Sequence, residues 1–295
     1  MGRGLGLLER NYAYLLILPS VAVLLATVLF PTIFLYYVSL LRWGLGTPWE
    51  DRVFVGASNY AMLMNEELFW NAVKISTIFV FATVVSEFFL GLGLALLFKD
   101  LRARRLFISF AIIPIAMTPA VVGLLWSLMY NSLYGVIPYL LNTIFGISPA
   151  FLDPALALFS VVMVDIWQWT PFIMLILLAG LESLPLEPYE AAMIDGATRW
   201  QTFRRLTIPM LRPAILVAVL IRTIDAAKTF DTIYVLTGGG PGSATDVLAL
   251  RIFKAGFWVM TSSMGEASAI GVFLLVLVTV LSTILVRILR AVEVG

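Results

Sequence analysis

At 295 residues the chain is 61% apolar and 13% charged, with a mean hydropathy of +0.99 and a formal net charge of +1. That composition excludes an ordinary water-soluble domain and predicts an all-α, polytopic membrane protein. It contains no cysteine and no histidine. This excludes disulfides, thiolate or imidazole metal sites and His-based acid–base catalysis, and the near-neutral balance leaves no nucleic-acid footprint.

Apolar runs of about 18 residues or more read as bilayer-spanning helices, and six qualify: 12–41, 71–98, 106–130, 154–181, 211–236 and 267–289. The first follows Arg3 and Arg10 as a signal peptide's would, but it is too long for one and lacks a small-residue cleavage site, so it is expected to be retained. Residues 43–70 carry Trp43, Trp49, Phe69 and Trp70, suited to an interfacial aromatic belt. In the second span Glu87 reads as a lone buried carboxylate, either hydrogen-bonded to a neighbouring helix or relaying protons. Pro114 and Pro119 predict a kink in the third, with Met117 and Thr118 between them shaping a cavity. Residues 131–153 read as a partly buried, non-spanning connection.

The fourth span offers Asp165, Trp167, Gln168 and Trp169. Flat aromatic faces beside hydrogen-bonding groups are what carbohydrate recognition needs; packing or interfacial anchoring is the alternative use of the tryptophans. The fifth holds Arg222, Asp225, Lys228 and Asp231. A charge unpaired at the bilayer centre costs about 2.5–3.5 kcal/mol. Three-residue spacing with alternating sign predicts pairs along one helix, and a polar lining for a hydroxylated solute is the functional alternative. Thr237–Gly242 must be a turn, and 245–258 is an apolar segment short of spanning length, read as interfacial.

Twelve of the 19 Lys and Arg fall on the side that holds the N-terminus, five on the other, and Arg222 and Lys228 within the fifth span. By the positive-inside rule both termini, and the segment between the fourth and fifth spans, are cytoplasmic.

That segment is a polar, proline-bounded insert. Pro185 and Pro188 favour a helix start, with Glu190 where the helix dipole favours negative charge. Asp195-Gly196 predicts a turn, and Thr198 and Gln201 have capping-box spacing for a second helix. Ala197, Trp200, Phe203 and Leu206 form an apolar stripe flanked by Arg199, Arg204 and Arg205. Pro209 is expected to stop this helix before the fifth span. The face is too small for lipid alone, which favours a protein partner over a membrane-resting linker.

The run from Glu190-Ala191-Ala192 through Asp195-Gly196-Ala197 and Phe203 to Pro209 and Pro213 resembles the EAA loop of ABC importer permeases. With six spans and the Phe230–Pro241 run after the fifth, the whole chain looks like a carbohydrate-type permease of the MalF/UgpA-like branch, without extra N-terminal spans or a large extracytoplasmic insertion. The resemblance implies one permease domain over 1–295 in a prokaryotic inner membrane. Within it 187–207 would form a cytoplasmic coupling helix pair. It implies a second homologous permease in a heterodimer, two ATP-binding subunits and an extracytoplasmic sugar-binding protein. Glu190, Ala191, Ala192, Asp195, Gly196, Ala197 and Phe203 would be the coupling positions. Met117, Thr118, Asp165, Trp167, Gln168, Trp169, Arg222, Asp225 and Lys228 are the candidate solute pathway.

No catalytic residue, metal or cofactor is expected on this chain. It has no Gly-x-x-x-x-Gly-Lys-Ser/Thr phosphate loop, so ATP and Mg would sit in the partner ATPases. The expected solute is a di- or oligosaccharide of the trehalose/maltose type, with glycerol phosphate or a polyol as the alternative. A stand-alone secondary transporter would use Glu87 or the fifth-span charges, but inverted repeats and broken helices in both halves, which would support it, are not expected from the sequence.

Overall fold

The computed structural model describes residue 14, residues 16–258 and residues 262–291, with side chains to 288. Arg3, Arg10 and Arg290 therefore lie outside what is described of the side chains. Five described helices are long and apolar enough to cross a bilayer: Leu16–Ser39 (α1), Glu67–Lys99 (α3), Ala157–Glu182 (α8), Arg199–Ala227 (α10) and a fifth over Met264–Ala291 (α13). Between them lie Ser58–Met64 (α2), Arg104–Ala111 (α4), Ile113–Ala116 (α5), Pro119–Met129 (α6), Val136–Phe145 (α7), Glu187–Ile194 (α9), Asp231–Thr237 (α11) and Leu248–Phe257 (α12). One short antiparallel pair, Leu41–Arg42 with Val53–Phe54, precedes α2.

The chain divides into two compact units. The first comprises residues 1–65 and 252–273. Here Asn59 Nδ2 donates to Ser39 O at 2.8 Å and Leu41 O at 2.9 Å, and Met264 N donates to Trp43 O at 2.8 Å. The first satisfies a carbonyl left open where α1 ends, and the others tie down the chain that follows. Gly265 lies so close to this seam that a Cβ there would overlap the Leu41 carbonyl oxygen.

The second unit, residues 66–251 and 274–295, holds the main helical core. Leu92, Ala95 and Phe98 of α3, Ile173, Met174, Leu177 and Leu181 of α8, and Leu211 and Ala218 of α10 form one buried cluster. Lipid is as apolar as these side chains, so close packing rather than water exclusion favours this association.

Two expected spans differ from the sequence reading. Residues 106–130 are three helices, not one kinked span, because Met117 and Thr118 are extended, with ψ of 142° and 141°. Pro119 disfavours the helical region for Thr118. The freed Met117 carbonyl accepts from Gln168 Nε2 at 3.1 Å, as a broken helix at membrane depth requires. The 211–236 run likewise ends its helix at Ala227 and restarts at Asp231.

Pro209 does not stop the preceding helix. A π-turn over Phe203–Thr207 leads straight into it, with Ile208 N donating to Phe203 O. The widened turn removes the carbonyl that the proline ring would strike, and the bond it could not make. The same device recurs in α1, where a π-turn over Leu25–Leu29 precedes Pro31. Residues 131–153 contain the ten-residue α7, too short to span, with Gly135 and Pro138 buried and most of the α7 side chains exposed.

Candidate functional site

Two parts of the second unit gather the expected site residues. The first is the insert after α8. Glu190 and Ala191 are exposed on α9, Ala192 is half-buried, and Asp195 is the C-terminal cap. Gly196 follows at φ +70°, a left-handed conformation that costs any L side chain. The capping box forms: Thr198 N donates to Gln201 Oε1 at 2.8 Å, and Gln201 N to Thr198 Oγ1 at 3.3 Å.

The insert is fixed at its inner side. Tyr189 Oη donates to Thr207 Oγ1 at 3.1 Å, joining α9 to the π-turn. Lys99 Nζ lies 5.7 Å from the Tyr189 ring centroid. Phe203 stacks on Trp200 with centroids 5.6 Å apart and packs against the α3–α8–α10 cluster. Ala197 is half-buried. The outer side is apolar and uncovered: Met193 is 71% exposed, Ile194 87% and Trp200 67%. Arg199–Ala227 is one helical run, so Trp200 and Arg222 stand on one continuous helix.

The second part lies around that arginine. Arg222 Nε donates to Glu87 Oε2 at 2.6 Å and Nη2 to Glu87 Oε1 at 3.1 Å. Nη2 also donates to Asp165 Oδ2. All three side chains are buried, with relative exposures of 1%, 0% and 1%. Glu87 is thus not a lone carboxylate. Arg222 is not paired with Asp225 along its own helix, because two carboxylates on α3 and α8 face it more squarely than a neighbour one turn away. The expected local pairing is realised by Asp225 and Lys228, 2.8 Å apart across the end of α10.

Beside the triad is a cavity of about 180 Å³, lined by Trp169, Arg222, Asp225, Lys228 and Asp231, with Pro119, Thr229 and Thr232 also on its wall. The Arg222 guanidinium carbon stands 5.4 Å from the Trp169 ring centroid. Four of the expected pathway residues therefore share one cavity. Asp165 and Gln168 lie behind it, supporting Arg222 and the Met117 carbonyl. Trp167 does not join them: it packs edge-on against Trp126 at 5.4 Å. Thr118 is exposed at the start of α6. Thr229 and Thr232 are absent from the sequence-based pathway, and the break at 228–230 that turns them inward has no signal beyond the mixed polarity of the run.

Helices of spanning length, a polar cavity at a double helix break and a two-helix insert mark a multi-pass membrane protein. The chain belongs to the family of binding-protein-dependent transport system inner membrane components, whose model matches residues 87–291. It is similar to the trehalose/maltose transport system permease protein MalF of Thermococcus litoralis, 38% identical over 92% of this chain and 90% of that protein. It is also similar to the trehalose permease SugA of Mycobacterium tuberculosis, 33% identical over 97% and 91%. The sulfoquinovosyl glycerol permease SmoG of Agrobacterium fabrum is 34% identical over 98% and 93%. Among solved structures, a bacterial ABC transporter that imports the acidic polysaccharide alginate has the same fold, with a TM-score of 0.82 at 24% identity over 98% of this chain and 99% of that one. The resemblance to carbohydrate-type ABC importer permeases holds.

Proposed function

We propose that this chain is the membrane-spanning permease subunit of an ATP-driven, binding-protein-dependent sugar importer. It forms half of the translocation pathway and takes its drive from a cytoplasmic ATPase through residues 187–207. The observation that carries this reading is the insert: an uncovered apolar edge of Met193, Ile194 and Trp200 on a turn locked by Gly196, continuous with a spanning helix. Such an edge in water calls for a protein partner.

In this reading the α4–α6 run is a sixth crossing, broken at Met117–Thr118, and both termini are cytoplasmic. The assembly contains a second permease, two ATP-binding subunits that hold ATP and Mg, and an extracytoplasmic binding protein. Two relatives named for trehalose or maltose support a di- or oligosaccharide as the solute. The chain itself performs no bond-breaking step.

Ile194→Asp and Trp200→Asp place charge on that edge without touching the core. The expected result is loss of ATPase co-purification and of sugar uptake, with normal membrane insertion. Uptake and co-purification at wild-type levels in both variants would overturn the coupling role.

A further inference from the structure

An arginine and a lysine lining a solute cavity suggest a receptor for anions, but the charge around them argues the reverse. On the wall itself Arg222 and Lys228 are matched by Asp225 and Asp231. Lys228 is joined to Asp225. Arg222 is joined to Glu87 and Asp165, two carboxylates immediately behind the wall and shielded from water. Its guanidinium charge is therefore already compensated inside the protein. What remains is a hydrogen-bonding capacity: Nη1 of Arg222 is buried without a hydrogen-bond partner among the described residues, and the group faces Trp169.

We propose that Glu87 and Asp165 are positioning residues that set solute selectivity, making this cavity a site for neutral, polyhydroxylated solutes and a barrier to acidic ones. The two carboxylates orient Arg222 and cancel its charge, so that it serves as a hydroxyl-binding donor beside the flat face of Trp169. A solute carboxylate or phosphate entering here would shed water next to Asp225 and Asp231 and find no uncompensated cation, which a buried anion requires. This rests on the sugar-importer reading and narrows it to neutral sugars.

The test uses the assembled importer in lipid nanodiscs without its binding protein, so that selectivity is that of the membrane pathway. The probes are maltose and the same disaccharide carrying a uronic acid, each measured by equilibrium binding. The wild-type assembly should prefer maltose by at least about tenfold, the order expected for one charge-assisted hydrogen bond gained or lost. In Glu87→Gln/Asp165→Asn, Arg222 becomes an uncompensated cation and the preference should fall or reverse. A merely structural role would weaken both probes alike.

Should that variant fail to assemble, Asp225→Asn/Asp231→Asn removes the rim carboxylates at partly exposed positions. It should raise affinity for the acidic probe relative to maltose. A wild-type preference for the acidic probe, or a preference unmoved in every variant that assembles, overturns the proposal. If the wild type binds neither probe while another class of solute is transported, the sugar reading itself is what fails.

Discussion

Arg222 and Glu87, 135 residues apart in the chain, meet in a two-bond, fork-to-fork contact with no water-accessible surface on the carboxylate. The contact joins α10 to α3, and Asp165 extends it to α8. The helix that carries the insert at one end is thus tied to the two central helices of the core by charge as well as by packing.

Removing Arg222 leaves two buried carboxylates without a cation, and removing Glu87 leaves Arg222 with Asp165 alone; breaking a buried pair costs about 3–5 kcal/mol. Glu87→Ala and Arg222→Ala should each lower the unfolding temperature of the purified protein markedly. The double replacement Glu87→Ala/Arg222→Ala should cost less than the sum, because Glu87 has no cation left to lose once Arg222 is gone. Thermal melts of the four species in one detergent give the coupling directly, and strict additivity would show that the two side chains do not act as a pair.

A methyl group added at Gly196 would meet nothing within 4 Å, so a side chain there is opposed by backbone strain and not by a clash. Gly196→Ala should therefore cost about 1–2 kcal/mol in local opening of the turn. The expected phenotype is reduced uptake per ATP hydrolysed with unchanged membrane insertion. Coupling equal to the wild type, measured in proteoliposomes, would show that the φ of this residue is not critical to force transfer.

Thr198→Ala removes one half of the capping box and is expected to cost about 1 kcal/mol at the start of the Arg199 helix. Amides at 199–202 should exchange with deuterium severalfold faster. Protection elsewhere in the same unit should be unchanged.

Gly265→Ala introduces a methyl group into the Leu41 carbonyl. Since the clash is with backbone, no rotamer relieves it, and the seam between Trp43 and Met264 must open. Low yield and protease sensitivity near residues 43–58 are expected. Gly271→Ala is the control: its nearest contact is the flexible end of Leu35 at 3.3 Å, and it should be tolerated.

The membrane helices, the insert and the capping box are legible in the sequence because each depends on neighbours in the chain. Hydropathy along α1, α3, α8 and α13 marks spanning length, Asp195-Gly196 marks a turn, and Thr198 with Gln201 marks a helix start. Proline is less legible. Pro119 breaks its helix completely, whereas Pro209 and Pro31 are carried through by π-turns, and no local pattern separates the two outcomes. They differ in whether another segment supplies a donor to the freed carbonyl, as Gln168 does for Met117.

Residue order alone makes this a helical membrane protein with a small two-helix element between its fourth and fifth apolar runs. Chain-local hydropathy and turn chemistry suffice for that. Which charges pair depends on helix packing. Spacing along α10 offered Arg222 to Asp225, but burial beside α3 and α8 gave it to Glu87 and Asp165. In a low-dielectric interior an ion is satisfied by whichever opposite charges surround it in space, and that depends on how the helices pack.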